Sequence, residues 1–298
     1  MNPIFTGSAT ALITPFSNGE LDIASMRALV EQQITNGTSA LVALGTTGEP
    51  TTLTKEEKRI VLDVVVEAAN GRVPVICGTG SNNTQTVIET EKEYRDAGCV
   101  AQLVVTPYYN RSTQEGLYAH YMHIAENTEL PIILYNVPSR TNLEIMPETL
   151  YRLSQSTRFV AFKESSYNMP LILERVGAMA DRMTLYSGND DMITPLLALG
   201  AQGVISVMSN VIPKLVSQMT KAYFEGDNVT AQAMQIECLP FIRALFKEVS
   251  PIPCKYVASL LELCQNELRL PLVKASADVQ QDLEKALRNL GVTWGESK

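Results

Sequence analysis

Histidine is nearly missing from this chain. The 298 residues hold two, His120 and His123, in one helical stretch, which argues against metal chemistry built on histidine. The five cysteines (Cys77, Cys99, Cys238, Cys254 and Cys264) are odd in number, scattered and without a CxxC pair. That pattern speaks against a disulfide framework and for buried free thiols in a reducing, cytoplasmic compartment. No apolar run approaches the ~18 residues of a membrane-spanning helix. The opening Met1-Asn2-Pro3-Ile4-Phe5 lacks the basic and apolar regions of a signal peptide. The four N-x-S/T sequons, from Asn36, Asn82, Asn110 and Asn228, are therefore read as chance. Basic residues are outnumbered 24 to 32, a net charge of −8. That balance argues against nucleic acid and anionic membranes as partners and leaves small molecules. GxSxG and GK[ST] are absent, so neither a hydrolase elbow nor a P-loop is present.

What is there is an alternation of short apolar runs with amphipathic stretches. The strand candidates are Ala9–Ile13, Ala40–Leu44, Val73–Ile76, Gln102–Val105, Pro131–Tyr135, Phe159–Phe162, Met183–Tyr186 and Gly203–Val207. Helical signals follow each. Asp22 opens the first helix, and Thr54 with Glu57 forms a capping box for the second. Ser112 with Glu115 marks another start, and Asn210 is expected to cap a helix with Pro213 in its first turn. Alternating βα units imply a parallel sheet. Eight of them favour a closed (β/α)8 TIM barrel over an open doubly wound sheet. The expected division is a barrel over residues 1–226 and a C-terminal helical appendage over 227–298. Its expected helices are Val229–Val249, one from about Cys254 to Gln265, and Ala277–Leu290 with Ser276 as its cap.

In a barrel of this kind the site lies at the C-terminal strand ends. The second strand runs into Gly45-Thr46-Thr47-Gly48-Glu49, where glycines allow close approach and N–H groups converge. That loop is either an anion nest or an ordinary glycine-bounded turn. The fourth strand ends on Thr106-Pro107-Tyr108-Tyr109-Asn110, and the fifth on Tyr135-Asn136-Val137-Pro138-Ser139-Arg140-Thr141. The sixth runs through Phe159-Val160-Ala161-Phe162 straight into Lys163. Burial disfavours a charged amine, and a neutral amine is a nucleophile. Lys163 is thus either a Schiff-base lysine or one that snorkels to the surface past a strand end. Tyrosine hydroxyls can relay protons, and an arginine can hold a carboxylate. Acidic residues near strand ends (Glu49, Glu164, Asp190 and Asp191) can equally be structural.

In this order and spacing, these segments resemble the dihydrodipicolinate synthase and N-acetylneuraminate lyase family of pyruvate-dependent class I aldolases. Ser187-Gly188-Asn189-Asp190 and Gly203-Val204-Ile205-Ser206-Val207 add to the resemblance, which covers essentially the whole chain. It implies that Lys163 forms an imine with pyruvate, with no other cofactor and no metal. It implies that Tyr135 shuttles protons and that Thr46 links Tyr135 to Tyr109, a residue lent across a subunit interface in a homotetramer or homodimer. Thr47 would hold the pyruvate carboxylate, Gly188 and Ile205 would border the pyruvate site, and Arg140 would bind the carboxylate of the second substrate. Ser139-Arg140-Thr141 is similar to members that condense pyruvate with L-aspartate 4-semialdehyde on the route to diaminopimelate and lysine. The alternatives are an aldolase acting on a sugar acid and a non-catalytic carboxylate-binding paralogue. Lys55, Lys58 and Thr86 depart from the residues of lysine-inhibited members, so weak or absent inhibition by lysine is expected.

Overall fold

The computed structural model describes residues 2–295; the expectations that fall on Met1 and on residues 296–298 lie outside them. Eight parallel strands close into a barrel: Gly7–Ala11, Ala40–Ala43, Val75–Gly78, Ala101–Val105, Ile132–Asn136, Phe159–Glu164, Thr184–Ser187 and Gly203–Ser206. Each bonds its neighbours in sequence, and the first meets the eighth at Ala9 and Ile205. All eight expected strands are present, with shifted ends. The first starts at Gly7 and leaves the ladder after Ala11, where the Asn210 side chain accepts from the Ile13 N–H at 3.0 Å and donates to the Ala11 carbonyl at 2.8 Å. Asn210 is therefore a staple for that strand. The N-cap of the helix Pro213–Phe224 is Ile212. Likewise Thr113, one residue past Ser112, caps the helix Gln114–Asn127 by accepting from the Gly116 N–H. The sixth strand extends through Lys163 and Glu164, so the lysine lies within the strand and is 5% exposed.

Two elements escaped the sequence reading. Ser17-Asn18-Gly19-Glu20 forms a two-strand hairpin, Phe16–Ser17 with Glu20–Leu21. Asn18 and Gly19 take the positive φ values, 55° and 84°, that such a tight turn demands. After the fifth strand, Pro138–Thr141 makes one helical turn that presents Arg140.

The apolar core has two parts. One fills the space between strands and helices. The other fills the barrel itself, with small residues (Ala9, Ala40, Ala101 and Ala161) beside Tyr135 and Ile205. The end opposite the site is stoppered. Phe5 stacks on Tyr186 with centroids 4.2 Å apart, and the Tyr186 hydroxyl donates to the Phe5 carbonyl at 2.8 Å. Burying Phe5 contributes about 2–3 kcal/mol. All five cysteines are free and buried.

The C-terminal helices are Asn228–Leu245, Ile252–Leu260 and Ala277–Asn289. The first stops short of Val249. The second starts before Cys254, because Pro253 suits a first helical turn, and ends at Leu260. Ser276 sits at the N-cap of the third without a side-chain cap bond, and Val279, Leu283, Ala286 and Leu287 bury its stripe. Gln235 ties these helices to the barrel, donating to the Asp190 carbonyl at 3.0 Å and accepting from the Thr194 N–H. We propose that the division at Gly226 is one of architecture and not of folding units. The core between strands and helices continues through Cys238, Phe241 and Leu283.

A further tie gives acid sensitivity a definite place. Arg269 donates to both Glu57 oxygens, and these bonds hold the Glu57 carboxyl down at about 2. A carboxyl lowered in the folded state adds stability that is complete above its ordinary pKa and is lost as pH falls toward about 2. Glu57→Gln is therefore expected to flatten the fall of Tm between about pH 4.5 and 2, removing roughly 2–3 kcal/mol of pH-dependent stability. Thermal melts of both proteins across that range check it.

Candidate active site

The site is built on adjacent strands. Tyr135 and Lys163 are partners in the register of the fifth and sixth strands. The Lys163 amine lies 4.0 Å from the centre of the Tyr135 ring. Among the described residues no carboxylate forms an ion pair with Lys163. The nearest acid in sequence, Glu164, is buried and bonded to Arg175 at 2.9 Å and to Asn136 at 2.8 Å. An amine must be free of its proton to add to a carbonyl, and an adjacent unpaired carboxylate would favour the ammonium form.

Gly188, from the end of the seventh strand, closes over the lysine. A Cβ there would stand 2.8 Å from Lys163 Cε, 3.0 Å from the Glu164 carbonyl oxygen and 1.9 Å from Ser165 Oγ. The Gly188 N–H donates to that carbonyl at 2.7 Å. Gly188→Ala is accordingly expected to push Lys163 from its place and to cost about 1–3 kcal/mol. Denaturant titration, together with the rate at which Lys163 is modified by an amine-reactive reagent, checks both parts.

Thr46, Thr47 and Gly48 form a single 3-10 turn that follows the second strand. Thr14 Oγ1 donates to the Gly48 carbonyl at 2.7 Å. The turn is held open by an αL residue, Glu49, with φ 53°. The Glu49 side chain is fixed from the C-terminal region. Its carboxylate forms an ion pair with Lys255, both side chains being 1% exposed or less, and accepts from the Arg269 N–H at 3.1 Å. Lys255 also donates to the Glu267 carbonyl at 2.9 Å and lies over the Phe16 ring at 4.0 Å. Burial pushes the Lys255 amine below its ordinary pKa, and Glu49 works against that.

A cavity of about 740 Å³ opens at this end of the barrel. Tyr135, Thr46, Gly45, Val137, Arg140 and Thr141 line it, as do Lys55, Lys58, Thr86 and Tyr108. Arg140 is steadied by donating to the Ser250 carbonyl at 3.0 Å. Thr106 and Thr141 bond each other at 2.9 Å beneath the Pro138–Thr141 turn. Thr47 is buried at 5% exposure, and Ile205 is buried in the barrel cluster that also holds Tyr135. Tyr109 stands apart. In the single chain it is 94% exposed with φ 69°, and no hydrogen bond joins it to Thr46 or Tyr135 among the described residues.

The sequence pattern of the dihydrodipicolinate synthetase family matches residues 4–290. The chain belongs to that family. A 4-hydroxy-tetrahydrodipicolinate synthase of Trichlorobacter lovleyi is 44% identical over 285 residues, covering 96% of this chain and 98% of that protein. One of Geobacter sulfurreducens is 45% identical over 273 residues, covering 92% and 94%. The dihydrodipicolinate synthase structure of Thermotoga maritima superposes with a TM-score of 0.95 at 41% identity, covering 97% of this chain and 99% of that one. The chloride-inhibited enzyme of Acinetobacter baumannii, solved with pyruvate, superposes with a TM-score of 0.94 at 39% identity, covering 97% and 99%.

Within this family chain, sequence reasoning missed three residues around the strand ends. Arg175 and Lys255 are fully buried cations, and Asn136 joins the fifth strand to Glu164. A signal for Arg175 was present. It shares a helix face with the buried Ile172 and Met179, where an unpaired arginine would be costly.

Proposed function

We propose that this chain is a 4-hydroxy-tetrahydrodipicolinate synthase that condenses pyruvate with L-aspartate 4-semialdehyde through an imine on Lys163. The observation that carries the reading is the Lys163 amine set 4.0 Å from the Tyr135 ring, with no carboxylate paired to it among the described residues, where Tyr135 lines a cavity shared with Arg140. The full-length likeness to enzymes of that name supports it.

In this reading the amine adds to the ketone carbon of pyruvate, and Tyr135 returns a proton to the departing hydroxyl, releasing water. Loss of a methyl proton turns the imine into an enamine, whose carbon bonds to the aldehyde carbon of the second substrate. Attack by that substrate's own amino group frees Lys163. No redox change occurs, so the lysine is the only covalent participant needed. Thr47 and the backbone N–H groups of its turn hold the pyruvate carboxylate. Gly188 and Ile205 shape the space around the imine. Arg140 takes the carboxylate of the aldehyde and disfavours a neutral sugar chain at the same place.

Thr46 and Tyr109 complete the proton path. Because Tyr109 is so exposed in one chain, we propose that a second copy covers it, in a homodimer or a homotetramer. A cytoplasmic setting is proposed from the free buried thiols; among the described residues no helix is long and apolar enough to cross a membrane.

Borohydride reduction in the presence of pyruvate, followed by peptide mass mapping, tests the reading. An adduct on Lys163 is expected, and an unmodified Lys163 would sink the mechanism. Weak or absent inhibition by lysine is also expected. Lys55 sits at the cavity wall, paired with Glu93 at 3.2 Å and 77% exposed, and it repels a ligand ammonium. An activity titration showing inhibition below about millimolar lysine, an affinity of ~4 kcal/mol or better, overturns this.

A further inference from the structure

Arg175 is the largest fully buried side chain among the described residues. A buried guanidinium costs several kcal/mol unless its donors are matched, and truncation of one partner is costlier still. Here each end of the fork is matched. Nε donates to the Ile145 carbonyl at 2.8 Å, Nη1 to Glu164 Oε2 at 2.9 Å and to Ser166 Oγ at 3.2 Å, and Nη2 to Glu144 Oε1 at 3.0 Å. The other Glu164 oxygen accepts from Asn136 Nδ2 and from the Ser166 N–H, both at 2.8 Å. Asn136 Oδ1 then accepts from the Ile145 N–H at 3.0 Å. The bonds form a closed ring through Asn136, Glu164, Arg175 and Ile145.

The place of this ring gives it meaning. Asn136 and Glu164 are register partners one step beyond Tyr135 and Lys163 on the same two strands. Successive strand residues point to opposite faces. Tyr135 and Lys163 therefore project into the barrel, while Asn136 and Glu164 project out to the ring. The ladder between these strands does not fix the register along its whole length. Ile132 pairs with Phe159 but Ile133 pairs with Ala161, so one residue is extra at the lower end. A slip of one residue turns a side chain to the other face, which for Lys163 means out of the barrel. The ring holds the register above that irregularity. It also occupies both oxygens of the acid beside Lys163.

We infer that Arg175 is a positioning residue for the Tyr135–Lys163 pair, acting from outside the barrel through Glu164 and Asn136. This rests on the imine reading above, and its failure is separable from that one. If wild type forms no adduct on Lys163, the imine reading falls. If wild type forms it and the variants below match it, only this inference falls.

The test is single-turnover imine formation with pyruvate, read by borohydride trapping, on Arg175→Met, Arg175→Lys and the double variant Glu164→Gln/Arg175→Met. Circular dichroism first establishes that each is folded at the assay temperature. Arg175→Met is expected to lose tenfold or more in the imine rate and in kcat, with the KM for pyruvate within about threefold of wild type, since the carboxylate contacts are untouched. Arg175→Lys keeps one donor and the charge, and is expected to recover part of the rate. Should Arg175→Met fail to fold, the double variant removes the fully buried Arg175–Glu164 pair together and leaves only the half-buried Glu144 without its partner, and the same tenfold loss is expected of it. A folded Arg175→Met or double variant with the wild-type imine rate overturns the inference, as does a rise in KM at unchanged kcat.

Discussion

Replacing Lys163 with arginine is expected to lower turnover by about 10⁴-fold or more, equivalent to about 5 kcal/mol of transition-state stabilisation. In the imine reading the change keeps a long basic side chain and removes the nucleophile. A guanidinium stays protonated at any working pH and forms no imine. Lys163 Cε passes close to Gly188, where an added Cβ would stand 2.8 Å away, so the longer side chain must also repack beside that strand end. Borohydride trapping with pyruvate is expected to leave the variant unlabelled, and a steady-state assay with pyruvate and L-aspartate 4-semialdehyde measures the loss. Labelling of the variant at another lysine, with activity kept within tenfold of wild type, would place the chemistry elsewhere.

The second large effect lies far from the lysine in sequence. Lys255→Met is expected to cost about 3–5 kcal/mol of stability, because it leaves the Glu49 carboxylate buried without its cation. For a domain of this size that is a fall in Tm of roughly 10 °C. The Arg269 N–H still reaches Glu49, but one neutral donor does not replace an ammonium. The pair anchors the turn that carries Thr46 and Thr47, so the KM for pyruvate is expected to rise along with the loss of stability. Glu49→Gln/Lys255→Met removes the charges together and is expected to recover most of the stability. Calorimetry of the two variants separates the cost of a stranded charge from the worth of the pair. Equal Tm values for both variants would show that no charge was stranded.

How far the sequence could be read follows from how local each signal is. The eight strands were legible because each is a short apolar run with a helix signal behind it, and Thr54 with Glu57 forms the expected capping box. Tyr135 and Lys163 as occupants of neighbouring strands followed from the same count. Long-range partners left no trace. Asn210 is separated by 197 residues from the Ile13 N–H it accepts, so its local context suggested a helix cap instead. Arg140 bonds a carbonyl 110 residues away, and no pattern near Arg140 announces it. An apolar run stops at the first polar residue and so sets Lys163 just past a strand end, whereas backbone pairing carries the strand on through Glu164. Tyr109 shows the opposite limit: its role was suggested by resemblance, and a single chain leaves it 94% exposed.

The stack of Phe5 on Tyr186 plugs the barrel away from the cavity that Tyr135 and Arg140 line. In the proposed mechanism pyruvate goes in first to reach Lys163, and the water shed on imine formation leaves past the place proposed for the aldehyde at Arg140. In that reading the order of events comes from traffic through the cavity, with no moving gate to enforce it.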